Sequence, residues 1–505
     1  MNRSSILFVT REIVPFFYGG IGTQFQSMAS LLVNHGYQVT FLAQRHDSYN
    51  PDVFSVYYPK CSIVFVDLPS ESSFVPYSPS GGLVSHERLA YSAEVRRVFD
   101  RYYDSHGPCS IVGADFGAEL FQCLLSKQAG AYAGSSFFIF VEGSTYDAIK
   151  TYESGTSSEV SSELDDPQNR LTCAMEDACV HLADRVIFPT RITREETQGR
   201  LGIPLENTVI PNIVGPGFLH LSSEKVYRQQ TGTMLFVGRL DFHKGADTLL
   251  QAFLRRFADT AEENIPFLRM VGRDTFCKSY GRSFLDHWLP RIPEHLLGHI
   301  EFTGQVDPRQ VGRYLCEATL CVFPSRWEVF GIVCLEAMAS GCPVAVTKAT
   351  GLAEVVGEAF PELLIDFPAE GDKVFDLFQN LVSMDEARYE NLCLAMSERA
   401  EVMVAKGNDL LLQLFDKPIP SPDTASADGN TIRFLQECLL AVTDITSTIA
   451  NDFNRVTNHY GIDDDTLKRL LSPVFPGPEK SWPKPASLNE RLVEFLKKRV
   501  SKFLS

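Results

Sequence analysis

Twice along this chain, short runs of β-branched and aromatic residues alternate with segments of helical spacing, and no other feature narrows its folding as much. Residues 1–215 hold strand-like runs at Ile6 to Thr10, Gln38 to Ala43, Ile63 to Asp67, Ile111 to Asp115, Phe137 to Val141, Arg185 to Pro189 and Thr208 to Pro211. Helical patterns such as Gln24 to His35 and His86 to Tyr103 lie between them. After the turn-rich Asn212-Ile213-Val214-Gly215-Pro216-Gly217 the alternation restarts, with Met234 to Gly238, Phe267 to Gly272, Ile300 to Gly304, Leu320 to Pro324, Pro343 to Thr347 and Leu363 to Asp366. Strands separated by helices pair in parallel, so two rounds predict two doubly wound α/β domains, residues 1–215 and 216–415. Ligands of such sheets bind beyond the carboxyl ends of the strands, which here would line a central cleft.

Beyond residue 416, Pro418, Pro420 and Pro422 with Ser421, Asp423 and Ser426 read as a linker, because these residues oppose regular structure. Residues 416–505 are then expected to form a mainly helical extension: Thr431 to Tyr460 has helical spacing, Pro473 to Pro485 is a break, and Leu488 to Leu504 is an amphipathic helix carrying Arg491, Lys497, Lys498, Arg499 and Lys502. Such a helix suits peripheral contact with anionic lipid or an acidic protein, although a solvated charged face over an ordinary docking stripe is the simpler reading.

The chain has 505 residues, more than one hydrophobic core usually supports, and its 44% hydrophobic and 22% charged content is that of ordinary globular domains. A net charge of -17 argues against nucleic acid as a partner, since phosphate backbones need clustered positive potential. Any anionic ligand must be met by local cations. The opening run Ile6-Leu7-Phe8-Val9-Thr10 is too short for a secretory leader and no later stretch reaches the length of a membrane span, so a cytoplasmic protein is expected. Twelve cysteines without zinc-ligand spacing, several inside apolar runs, fit reduced structural thiols.

Three segments carry chemistry. Gly19-Gly20-Ile21-Gly22-Thr23 opens a helix after the first strand; glycines admit close backbone approach and free N–H groups at a helix start favour a phosphate or another anion, though a tight turn without a ligand uses the same residues. In Val237-Gly238-Arg239-Leu240-Asp241-Phe242-His243-Lys244-Gly245 a strand end and a helix start bring two cations to one place, where a guanidinium fork and an ammonium suit a diphosphate; surface ion pairs are the plain alternative. In Phe323-Pro324-Ser325-Arg326-Trp327-Glu328-Val329-Phe330-Gly331, followed by Ile332 to Pro343, Glu328 lies in a loop and Glu336 inside the helix that follows. Carboxylates accept from vicinal hydroxyls of a sugar or ribose, whereas a helix cap and a solvent-facing glutamate would explain the pair without a ligand.

Arg239 and Lys244 in Arg-Leu-x-x-x-Lys-Gly, then Glu328 and Glu336 in Pro-Ser-x-x-Glu-x-Phe-Gly-x-x-x-x-Glu-Ala-x-Ala-x-Gly-x-Pro, resemble the family-4 (GT4) retaining glycosyltransferases of the GT-B fold. With Gly19 and Gly20, the resemblance spans residues 5 to 410. It implies two Rossmann-like doubly wound parallel-sheet domains facing a central cleft, the first on the acceptor side and the second holding the donor. It further implies a nucleotide-diphosphate-sugar donor, with a UDP-sugar favoured over a GDP-sugar and no separate cofactor. Residues matching Arg239 and Lys244 bind the diphosphate in such enzymes, the one matching Glu328 contacts the donor sugar, and the one matching Glu336 takes the ribose hydroxyls. On the same resemblance the backbone of Phe330 and Gly331 lies against sugar and phosphates, Gly20 closes over the diphosphate, and Thr303-Gly304-Gln305-Val306 receives the base. Arg239, Lys244 and Glu328 are thus the expected catalytic set. No metal is required, because cations and helix N-termini supply the charge a divalent ion supplies elsewhere.

One position departs from the pattern. Many relatives place a histidine after the strand Phe137 to Val141, where this chain has Glu142. Glu142 could recognise another sugar hydroxyl, bind a cationic acceptor or mark weakened catalysis, and a strand-end carboxylate bonded to nearby backbone accounts for it as well. Asp115, ending the preceding strand, is a second acceptor-side candidate, while His243 reads as a loop residue. The expected activity is retaining transfer to a saccharide, lipid-linked or protein acceptor; the loops Ser70 to Leu83 and Ser154 to Asp166 carry no code for which. A nucleotide-sugar-binding or scaffold protein of the same fold without turnover is the alternative. A nicotinamide-dependent oxidoreductase fits parallel sheets but not Gly19-Gly20-Ile21-Gly22, which lacks the spaced dinucleotide fingerprint.

Overall fold

The computed structural model of the protein describes residues 5–17, 19–67, 87–128, 130–153, 167–202, 208–214, 232–277, 280–357, 359–367 and 369–416. The extension expected over 416–505, apart from Asp416, and the loops Ser70 to Leu83 and Ser154 to Asp166 lie outside the described residues.

The first sheet comprises β1 (Ser5–Thr10), β2 (Gln38–Gln44), β3 (Ser62–Val66), β4 (Ser110–Ala114), β5 (Ser136–Phe140) and β6 (Arg185–Ile187). Its order is β3-β2-β1-β4-β5-β6, with every pair parallel. The alternation of side chains along β1 feeds two cores: Leu7 and Val9 on one face, Ile6 and Phe8 on the other. Burial on both faces is why these strands read as nearly continuous apolar runs. The run Thr208 to Pro211, expected as a seventh strand, makes a single bridge, Val209 to Phe188. Pro189 ends β6 and Pro211 has no N–H, so no longer ladder can form.

The second sheet repeats the plan with β7 (Thr233–Val237), β8 (Phe267–Val271), β11 (Ile300–Gly304), β12 (Leu320–Phe323), β13 (Val344–Thr347) and β14 (Leu364–Ile365), ordered β11-β8-β7-β12-β13-β14 and parallel. A two-residue hairpin, β9 (Phe276–Cys277) with β10 (Arg282–Ser283), sits beside it and is not foreseen by the alternation. In each sheet the order reverses beside a central strand, at β1/β4 and at β7/β12, which opens a crevice at the carboxyl edge.

A helix of 31 residues, Glu386–Asp416, closes the described chain. At 1.5 Å per residue it spans ~46 Å, long enough to serve both halves. Tyr389, Cys393, Met396 and Ala400 pack into the cores of the second sheet, whereas Leu411 and Phe415 pack under the first, beside Ile6 and Phe8. Tyr37 of the first half donates its hydroxyl to the carboxylate of Asp416. A boundary at residue 216 places this helix in the second domain, but its packing is shared. Among the described residues no helix is long and apolar enough to cross a membrane, and no cysteine is in a disulfide.

Candidate active site

Beyond β7 the chain turns through Gly238 and Arg239 into the helix Ala246–Arg256. Asp241, buried, fixes that turn: its carboxylate accepts the Lys244 N–H at 2.8 Å and lies 3.0 Å from Arg239 Nε. The Arg239 side chain is 54% exposed, so its guanidinium is accessible along the sheet edge. Lys244 reaches across to the loop after β12, where its ammonium pairs with the Glu328 carboxylate. Two residues earlier, Arg326 binds Asp247 through both guanidinium nitrogens at 2.7 and 2.8 Å, donates to the Phe242 carbonyl at 2.7 Å and stacks 3.5 Å from the Phe242 ring centroid. This bidentate pair, barely exposed, bolts the two cation- and carboxylate-bearing segments together. His243 accepts the Arg326 N–H through its carbonyl at 2.9 Å; burial, with Arg239, Lys244 and Arg326 nearby, lowers its imidazole below the usual range against the opposing charge of Asp241.

Glu328 is followed by Val329 and Phe330, both buried in the core, so Phe330 offers a ligand only its backbone. Gly331 caps the helix Ile332–Ala339 with φ 81°, a conformation that favours glycine. Inside that helix Glu336 is 7% exposed, and its carboxyl has no hydrogen-bond partner among the described residues. Burial alone pushes it up to about 8. The idea of a solvent-facing glutamate therefore does not hold at this position. Gln305 is exposed just past β11, and Val306 is half-buried against the core that holds Phe330.

The first half brings carboxylates to the same place. Glu12, beyond β1, accepts the Gly22 N–H at 2.9 Å and so occupies the start of the helix Gly20–Asn34; a side chain at Gly19 would overlap its carboxylate. The anion at this helix start is thus an internal one, while Gly20 faces open space. Burial raises the Glu12 carboxyl, against the N–H groups of Gly22 and Ile21 and the charge of Arg239. Asp115, buried after β4, accepts the Glu142 N–H at 2.8 Å, and burial pushes it up to about 6. The Glu142 carboxyl accepts from the Asn212 amide at 3.2 Å; burial first, then Asp115, pushes it up to about 8, and Glu12 and Glu328 add to the rise. Glu142 thus lies near enough to sense the charges of Glu12 and of Glu328 in the other half, Glu12 senses Arg239, and Lys244 pairs with Glu328. Among the described residues no group of three or more His, Cys, Asp or Glu side chains is arranged to hold a metal ion.

The structure pairs Lys244 with Glu328 and ties Arg239 to the same turn through Asp241; Glu142 lies within reach of the Glu328 charge, Gly20 stands at the helix start that Glu12 occupies, Glu336 sits inside the helix after β12, and the Gln305-Val306 turn follows β11. Glu12, Arg326 and Asp247 were not singled out by sequence. A carboxylate just past a strand, seven residues before a glycine pair, is the one available signal for Glu12.

Two sequence profiles cover most of the described chain: "Glycosyl transferase 4-like domain" over residues 19–213 and "Glycosyl transferases group 1" over residues 222–402. A D-inositol 3-phosphate glycosyltransferase of Thermobifida fusca is 30% identical over 220 residues, covering 40% of this chain and 48% of that protein. The chain spans 39% and 54% of the length of two other curated relatives that it matches. Among solved structures, a sucrose-phosphate synthase from Thermosynechococcus elongatus superposes with a TM-score of 0.61 at 20% identity, covering 82% of this chain and 98% of the other. Anabaena HepE in complex with UDP-glucose does so with a TM-score of 0.52 at 14% identity, covering 82% and 99%.

Proposed function

Because this chain belongs to the family-4 glycosyltransferases of GT-B fold, we propose that its cleft carries out retaining, metal-independent transfer of a sugar from a nucleotide-diphosphate donor. The observation that carries this reading is the pairing of Lys244 with Glu328 beside the exposed Arg239. In the donor-free protein the ammonium and the carboxylate neutralise each other. A diphosphate entering between the halves competes for Lys244 and Arg239, and the released Glu328 then accepts from hydroxyls of the donor sugar. As the bond from the anomeric carbon to the phosphate oxygen breaks, negative charge grows on the diphosphate, where the two cations are already in place. The acceptor hydroxyl attacks from the same face and passes its proton to the departing phosphate. Glu336 accepts the ribose hydroxyls, and the Gln305-Val306 turn receives the base.

A UDP-sugar is favoured over a GDP-sugar, in line with the UDP-glucose held by the Anabaena protein. The acceptor is a saccharide, a lipid-linked sugar or a protein, met by Asp115 and Glu142, and the protein works in the cytoplasm. Thermal shift against UDP, GDP, ADP and their sugar conjugates, with chelator throughout, tests the donor site. Stabilisation by one nucleotide family that survives chelation and is lost in Lys244→Ala is the expected result; no shift with any nucleotide rejects it. A second reading, donor binding without turnover, draws on Glu142, whose carboxyl stands where a histidine is common in relatives. Donor binding with no product across an acceptor panel would select it.

A further inference from the structure

Glu328 is flanked on both sides by contacts with the other half of the molecule. Before it, the Trp327 ring lies against Gly143, with Cη2 2.3 Å from where a Cβ on that glycine would stand. After it, the Val329 carbonyl accepts from the hydroxyls of Thr190 and Thr193, each at 3.1 Å. These two threonines are buried and open the helix Arg191–Leu201, which Thr190 caps by accepting the Thr193 N–H. The next free donors of that helix, the N–H groups of Arg191 and Ile192, bind the Glu354 carboxylate at 3.1 and 2.7 Å. Glu354 belongs to the second half, on the helix Gly351–Val356, whose first N–H donates to the Glu328 carbonyl at 2.9 Å. A Cβ on Gly351 would stand 1.9 Å from the Val329 oxygen, so this backbone is gripped without intervening space.

We propose that Thr190, Thr193 and Glu354 form a clasp between the halves that sets the sugar-contacting carboxylate of Glu328 against the acceptor side, which makes them positioning residues for the transfer step. The proposal rests on the glycosyltransferase reading above. A carboxylate on two helix-start N–H groups and buried hydroxyls on a carbonyl are directional contacts, whereas the ion pair of Arg191 with Glu354 is exposed and adds little. None of the three is bonded to Arg239, Lys244 or Glu336, the groups assigned to the nucleotide. Nucleotide binding therefore does not need the clasp. Transfer does, because a displacement of about 1 Å between reacting groups costs up to roughly 100-fold in rate.

Glu354→Ala and Thr193→Val are expected to lower kcat by roughly tenfold or more while nucleotide affinity stays within about twofold, and Thr193→Ser, which keeps the hydroxyl, to stay near the wild type. Amide exchange over residues 141–146, which hold Gly143 against Trp327, should quicken in Glu354→Ala. An unchanged kcat, or nucleotide affinity falling in step with kcat, overturns the proposal. Unchanged exchange over 141–146 also overturns it, by confining the contact to one helix end. A wild-type protein that transfers no sugar while the exchange response is intact supports the clasp and rejects the glycosyltransferase reading.

Discussion

At Glu336, burial without a nearby cation pushes the carboxyl up to about 8, so near neutral pH it is largely protonated before a ligand arrives. Ribose hydroxyls donate to a carboxylate, so occupancy favours the ionised form and expels a proton. Nucleotide affinity should therefore rise with pH up to about 8 and level off above it. Calorimetric titration in buffers of different ionisation enthalpy should register the released proton, and Glu336→Gln should abolish it; a buffer-independent heat in the wild type would refute the assignment. The residue types at fixed spacing named Arg239, Lys244, Glu328 and Glu336 as candidates, and the fold pairs Lys244 with Glu328, ties Arg239 to the same turn through Asp241 and buries Glu336 in the helix that follows. Glu12 was not legible, because its partners are backbone N–H groups, which no residue type encodes. The Arg326–Asp247 pair was not either, since two opposite charges 79 positions apart carry no mark of contact until two loops fold against each other.

At the scale of elements, the strands were the readable part, because a strand buried on both faces has no polar positions to blur it. Loops were less so, since their geometry depends on what packs against them. Gly351 and Gly20 show the contrast. Gly351→Ala would drive a methyl into the Val329 carbonyl, a kind of overpacking that typically costs about 1–3 kcal/mol, and the strain falls on the peptide that carries Glu328. A lower Tm together with reduced transfer is expected. Gly20→Ala meets nothing within 4 Å and stands at the first position of a helix, so the added methyl brings no clash and removes some chain freedom from the unfolded state. Its Tm should hold or rise; if the open space beside Gly20 takes the diphosphate, as the proposed function has it, transfer falls, and unimpaired transfer would remove Gly20 from the donor site.

Across the whole molecule, carboxyls raised by burial set the response to acid and base. Glu142 and Glu336 stand at about 8, Glu119 and Glu176 at about 7 and Asp115 at about 6. The folded chain keeps protons that the unfolded chain, with carboxyls near ~4, gives up, so stability falls as pH climbs from about 4.5 towards about 8. Glu142→Gln should flatten that fall, raising Tm at pH 8 and little at pH 5, a difference differential scanning calorimetry reads directly. The shared terminal helix makes a separate prediction: Phe415→Ala, which strips a ring from between Tyr37 and Phe138, should cost about 3–5 kcal/mol and loosen the first half although the change lies in the last helix. The same helix imposes an order on synthesis. The first sheet is complete in the nascent chain once Ile187 has left the ribosome, but Leu411 and Phe415, which cover its Ile6 and Phe8 face, follow more than 200 residues later. The helix Gly20–Asn34 already packs on that face through Phe25 and Met28, so at roughly 5–20 residues per second it is the remaining part, around Tyr37 and Phe138, that stays uncovered for on the order of 10–40 s, an interval in which a chaperone has something to hold.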